Sequence, residues 1–230
     1  MFPFLVCFTL TEPVIVNPSI ALDGILAAAT YRRTRDPTTA HLHLPLTKHG
    51  DVYAASEIHF EAPVFKGQRP YVSNAHWARF RPGDFVDARG RIVTKITARD
   101  ERKPTLDTYT TLTAARAWAW GMGDINAVRD LLGEIDAIGK KASSTGCGSV
   151  SAITVTEVEV PATFGLTDKT GRPSRPVPVD TWTKAGLSLD GLSIGPSKPY
   201  LPRWATGHEL CVLPASYILH PHDLGAIGHA

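Results

Sequence analysis

The stretch that most restricts this chain runs from Asp124 to Val160: an apolar stripe at helical spacing enters Ile138-Gly-Lys-Lys-Ala-Ser-Ser-Thr-Gly-Cys-Gly-Ser-Val150 and continues into alternating residues. Ile125, Val128, Leu131, Leu132, Ile135 and Ile138 make one apolar helix face, with Arg129, Asp130, Glu134 and Asp136 on the wet face. Asp124 suits the N-cap and Gly139 a left-handed C-terminal cap, so a helix is predicted up to Ile138. Val150, Ile153, Val155 and Val158 predict a strand over 149–160. Between helix and strand, three glycines, two lysines and three hydroxyl residues occupy positions 139–148. Such a bend suits anionic oxygen, because bare backbone lets N–H groups converge on phosphate while ammonium groups neutralise its charge.

The order of elements excludes two nucleotide-binding designs. A Walker A loop and a dinucleotide fingerprint each open a helix, whose N-terminal dipole meets the phosphates. Here the order is helix, loop, strand, and the lysines precede the glycine pair. A purely structural role, with Lys140 and Lys141 offsetting the helix dipole, accounts for Gly139 and the lysines. It leaves Gly146-Cys-Gly148, running directly into a strand, without a reason.

Elsewhere the chain reads as a globular protein: 230 residues, 43% hydrophobic, 20% charged, net charge +2. That charge does not by itself demand a nucleic-acid partner, but its distribution is uneven. From Lys66 to Lys103 ten basic residues face four acids. Phe85-Val86, the turn Asp87-Ala-Arg-Gly90, and Arg91 to Ala98 suggest paired strands, with Thr108 to Trp120 as the returning strand of a long hairpin with a basic tip. Phe2 to Leu10 reads as a buried strand rather than a signal peptide, having neither a basic leader nor a small-residue cleavage site. A helix follows, capped by Asn17 or Ser19 with Pro18 in its first turn and Arg32-Arg33 near its end; Gly24 within it would allow close approach of another backbone. Residues 36–82 predict short strands and long loops. Residues 159–230 hold nine of the 18 prolines and predict an irregular extension packed on a 1–158 core. Cys7, Cys147 and Cys211 have no metal-ligand or disulfide-framework spacing, which suits reduced thiols in a cytoplasm.

The sequence Gly139-Lys140-Lys141 followed by Gly146-Cys-Gly148, between a last helix and a last strand, resembles the glycine-rich loop of the RAMP superfamily of CRISPR ribonucleoproteins. Gly123-Asp124 ahead of the helix, Leu131-Leu132 and Lys198-Pro-Tyr-Leu-Pro-Arg-Trp204 are most similar to the small subunit of type IV CRISPR effector complexes that caps the 5′ end of the guide RNA. The resemblance implies an α+β, ferredoxin-like RAMP fold, an antiparallel sheet with two helices. To this the chain adds a long basic hairpin and a Pro/Gly-rich C-terminal extension. The family loop often carries a further arginine after the lysines, where Ala142-Ser-Ser-Thr145 stands here. The implied partners are the 5′ handle of a guide RNA, backbone and other subunits of the effector complex, and target nucleic acid through that complex, with no membrane contact.

On this reading the RNA-binding residues are Gly139, Lys140, Lys141, Ser143, Ser144, Gly146 and Gly148 of the loop, Arg89, Arg91 and Lys95 of the hairpin, and Trp77 or Tyr71 as stacking surfaces. The alternative is a metal-independent guide-RNA endonuclease, for which His41, His43, His49, His59 or His76 would serve as base and Lys140 or Lys141 as charge stabiliser. His41-Leu-His43 and His220-Pro-His222 have spacing a metal could use but lack a nearby third ligand. No cofactor, metal or catalytic residue is called for.

Overall fold

The computed structural model describes residues 1–16, 19–73, 89, 91, 105–140, 142–202 and 206–227. β1 (Phe2–Leu10) buries Phe4, Val6 and Phe8 on one side and Leu5 on the other, as a strand in a sheet covered on both faces must. There follow β2 (Val14–Ile15), α1 (Leu22–Thr34), the single turn α2 (Thr39–Leu42), β3 (Lys48–His49), β4 (Val52–Tyr53), β5 (His59–Glu61) and the long β6 (Phe65–Ser73). Then come β7 (Thr105–Thr113), β8 (Arg116–Gly123), α3 (Ile125–Leu132), α4 (Ala142–Thr145) and β9 (Val150–Glu157). The C-terminal part carries β10 (Val177–Pro178), α5 (Val179–Lys184), β11 (Ser193–Ser197), β12 (Glu209–Leu213), β13 (Ile218–Leu219) and a 3-10 turn at Pro221–Ile227. No helix among the described residues is long and apolar enough to cross a membrane.

The molecule is mixed α and β, with several sheets. The central one has strand order β13-β5-β8-β1-β9, in which β5, β8, β1 and β9 are antiparallel neighbours and β13 runs parallel to β5. α1 and α3 cover one face, where Leu22, Leu26, Val128 and Leu132 pack with Phe4, Val6 and Phe8. On the other face Leu5, Trp118 and Trp120 pack with Phe164, Leu219 and Ile227. A second sheet, β2-β7-β6, carries a hairpin whose outgoing arm is β6, at residues 65–73, where the sequence predicts short strands and long loops; the strand pair predicted over 85–98 lies, but for positions 89 and 91, outside the described residues.

Four local expectations are corrected. The predicted strand over 108–120 is two strands: β7 stays on the hairpin and pairs with β6, while β8 enters the central sheet against β1. The Thr-rich half can sit half-exposed, whereas Ala117 to Trp120 must be covered on both faces. α3 ends at Leu132, six residues short of Ile138, because residues 136–138 pair in extended form with 148–150. Ile138 N–H donates to Gly148 O at 2.9 Å and Val150 N–H to Asp136 O at 2.9 Å, while Ile135 and Ile138 stay buried as the periodicity required. At α1 the N-cap is Ala21; Ser19 donates instead to Glu57 Oε1 at 2.5 Å, and Asn17 lies outside the described residues. Gly24 meets no atom within 4 Å of where a Cβ would sit, so no close approach requires it.

The extension expected to be irregular forms a three-stranded sheet, β10-β12-β11, around Trp182, Val177 and Val212. Pro178 and Pro196 lie on its two outer strands, where a missing N–H is tolerated. Arg175 ties this part to α1: it is fully buried, with Nη1 on Asp23 Oδ2 at 2.9 Å and on Tyr53 and Ala55 carbonyls at 3.0 and 2.9 Å, and Nη2 on Pro199 O at 2.8 Å.

Candidate nucleic-acid interface

The glycine loop is clasped onto β2. Lys140 N–H donates to Ile15 O at 3.0 Å and Gly148 N–H to Pro13 O at 2.8 Å, and β2 in turn pairs with β7. Gly139, at φ +109°, and Gly148, at φ +73°, are required by this clasp: a Cβ would lie 2.9 Å from Ile15 O in the first case and 1.8 Å from Ile138 O in the second. Both glycines therefore accommodate the chain's own backbone, and the Lys140 and Gly148 amides are already bonded. Cys147 N–H donates to Thr145 Oγ1 at 3.3 Å. Gly146 differs. It is exposed, sits at φ +65°, and no atom lies within 4 Å of where its Cβ would be.

Side chains beside this bend converge on the base of the hairpin. In the β6–β7 register Arg69 stands opposite Tyr109 and Tyr71 opposite Asp107, which puts all four on one face. Tyr109 is buried with Ile15 and Cys147, and Tyr71 packs against them. The Tyr71 and Tyr109 rings lie 6.3 Å apart, and Tyr109 OH donates to Asp107 Oδ2 at 3.1 Å. Arg69 Nη1 donates to Cys147 Sγ at 3.0 Å, and Lys140 Nζ stands 5.2 Å from the Tyr109 ring centroid. An exposed guanidinium and an exposed ammonium thus flank an open bend and a tyrosine pair of which Tyr109 is buried and Tyr71 partly open, an arrangement able to neutralise phosphate beside one accessible ring.

Of the sequence-based candidates, the structure brings together Gly139, Lys140, Gly146, Gly148 and Tyr71. Ser143 and Ser144 belong to α4, between Lys140 and Gly146. Arg89 and Arg91 are exposed positions in the connection between β6 and β7. Lys141, Lys95 and Trp77 lie outside the described residues. Sequence reasoning missed Tyr109 and gave Arg69 no role beyond its charge; the two-residue spacing of Gly67, Arg69 and Tyr71 was the available signal, hidden by Pro70. Among the proposed bases, His59 is enclosed. It stacks on Trp120 at 4.6 Å, its Nε2–H donates to Ser174 O at 3.2 Å, and burial pushes its pKa down to about 4. Burial also lowers the pKa of His41 and His49. No group of three or more His, Cys, Asp or Glu placed to hold a metal ion occurs among the described residues.

Compared with known families, residues 3–164 match the sequence model of a family described as CRISPR type IV associated protein Csf3. A comparison with curated proteins found no match.

Proposed function

The chain belongs to the Csf3 family of type IV CRISPR associated proteins, a subunit of a type IV CRISPR complex, and from that premise we propose that it holds the 5′ handle of the guide RNA and caps the backbone filament without catalytic duty. The observation that carries this reading is the convergence of Lys140, Arg69, Tyr71, Tyr109 and the open Gly146 bend at the foot of a hairpin whose connecting segment is strongly basic. Binding then comes from side chains and Gly146, with Gly139 and Gly148 shaping the loop. The order β1-α1-β5-β8-α3-β9, with those strands arranged β5-β8-β1-β9, is what a split βαβ ferredoxin-like fold would give, and it supports reading the chain as a RAMP protein. The endonuclease alternative gains no support from His59, which is enclosed away from any substrate.

The test is the double variant Lys140→Ala, Lys141→Ala in the full chain with single-stranded guide RNA at two salt concentrations. Removing one phosphate-neutralising side chain lowers the salt slope by about 1, so affinity falls and the slope flattens by up to about 2. Unchanged affinity at both salt concentrations overturns the assignment.

A further inference from the structure

We propose that the reverse face of the β6–β7 hairpin holds a second RNA subsite, a cavity that takes one everted nucleotide of a single strand. It rests on the RNA-binding reading above. Lys66 and Leu112 are cross-strand partners, and Thr108 and Thr110 follow at two-residue steps, so these four share the face opposite Arg69 and Tyr109. They line a cavity of about 510 Å³, with Ile58 among its walls and Ser216 and Tyr217 closing the far side. That far wall comes from the extension: Phe60 N–H donates to Tyr217 O at 2.7 Å, β13 pairs with β5, and the Tyr217 ring lies 5.8 Å from the ring of buried His59.

Charge and shape point to the occupant. The lining contributes one cation, Lys66, and no carboxylate; Glu57 is buried behind Ser19, whose hydroxyl donates to it. The other cavities described carry acids in their linings: Asp51, Asp180 and Glu209 in one, Asp130 in a second, Glu157 and Glu159 in a third. This cavity therefore suits a ligand with an anionic end and a flat apolar body. A nucleotide has both, its base against Ile58, Leu112 and Tyr217, hydrogen-bonded by Thr108, Thr110 or Ser216, with its phosphate at Lys66. Only an unstacked base can turn into such a space, which specifies a single strand. The path is continuous, because Lys66 and Arg69 both lie on β6, the outer strand of its sheet. A strand crossing that edge passes from the Lys140 face to the cavity.

The experiment uses the full chain and a single-stranded RNA twelve nucleotides long, carrying 4-thiouridine at successive positions, irradiated and mapped by peptide mass spectrometry. The expected result is that one position labels the Ser216–Ile218 segment, and that Lys66→Glu lowers this label roughly tenfold while labels on the glycine loop persist. Labelling of the glycine loop or hairpin without any at Ser216–Ile218 overturns the cavity and leaves the RNA-binding reading standing. Labelling of Tyr217 from every position, or unaffected by Lys66→Glu, also overturns the cavity. No labelling anywhere overturns both.

Discussion

Arg175 and Asp23 form an ion pair that neither residue can leave cheaply. Both are removed from water, and the guanidinium adds three carbonyl contacts to the carboxylate. Desolvation offsets much of the attraction in such a pair, but deleting one member strands the other charge, at a cost of about 3–5 kcal/mol. Asp23→Ala should lower unfolding stability by that amount in urea titration, and Arg175→Met added to it should recover part of the loss. His59 carries a second single-residue prediction. Its folded pKa of about 4 lies below the ordinary value of 6.5, so the unfolded chain takes up a proton first as pH falls. The neutral form's stability is intact above pH 6.5 and declines from there to about pH 4, by about 3 kcal/mol in total. His59→Gln keeps a donor for Ser174 O without a titrating ring. Its urea midpoint should therefore fall less than the wild type's between pH 7 and pH 4.5; equal falls refute the assignment.

At the scale of elements, the glycine loop separates what its motif spells from what its glycines do. Gly148→Ala drives a Cβ into Ile138 O and should cost more than about 2 kcal/mol, whereas Gly146→Ala meets open space and should cost only the left-handed backbone penalty of about 1 kcal/mol. Thermal unfolding of the two variants checks the ordering, and equal losses would rule out the clasp as the reason for Gly148. The sequence made the Asp124 cap, the apolar face of α3 and the β1 strand legible, because each follows from neighbouring residues: Asp124 accepts from the Asn126 and Ala127 amides, as an N-cap should. Where α3 stops was not legible. Ile135 and Ile138 are buried whether their backbone is helical or extended, and the choice is made by partners at 148–150. The same holds for the split between β7 and β8, which depends on which sheet receives each half. Lys140 could be picked out from its motif. Its neighbours Arg69 and Tyr109 could not, since they reach the loop only through the β2-β7-β6 pairing.

At the scale of the whole molecule, the family match ends at residue 164, yet the part beyond it completes the fold rather than trailing from it. Leu219 and Ile227 cover the face of the central sheet that carries Trp118 and Trp120, β13 extends that sheet beyond β5, and Arg175 neutralises the buried Asp23 carboxylate in the first turn of α1. Trp120 Nε1–H also donates to Thr167 O at 3.0 Å, so its one polar atom is satisfied from outside the matched region. Removing residues 165–230 would expose two tryptophans and leave the Asp23 carboxylate without its guanidinium. Each apolar side chain newly facing water forfeits about 1.5–3 kcal/mol of burial, and the stranded charge adds several more, which together match the whole stability of an ordinary domain. A chain ending at Phe164 is therefore expected to aggregate or to lose cooperative unfolding, read by size-exclusion chromatography and a urea transition. A monomeric truncated chain with a sharp transition would show that the sheet tolerates an uncovered face, and with it that the far wall of the Lys66 cavity is dispensable to the core.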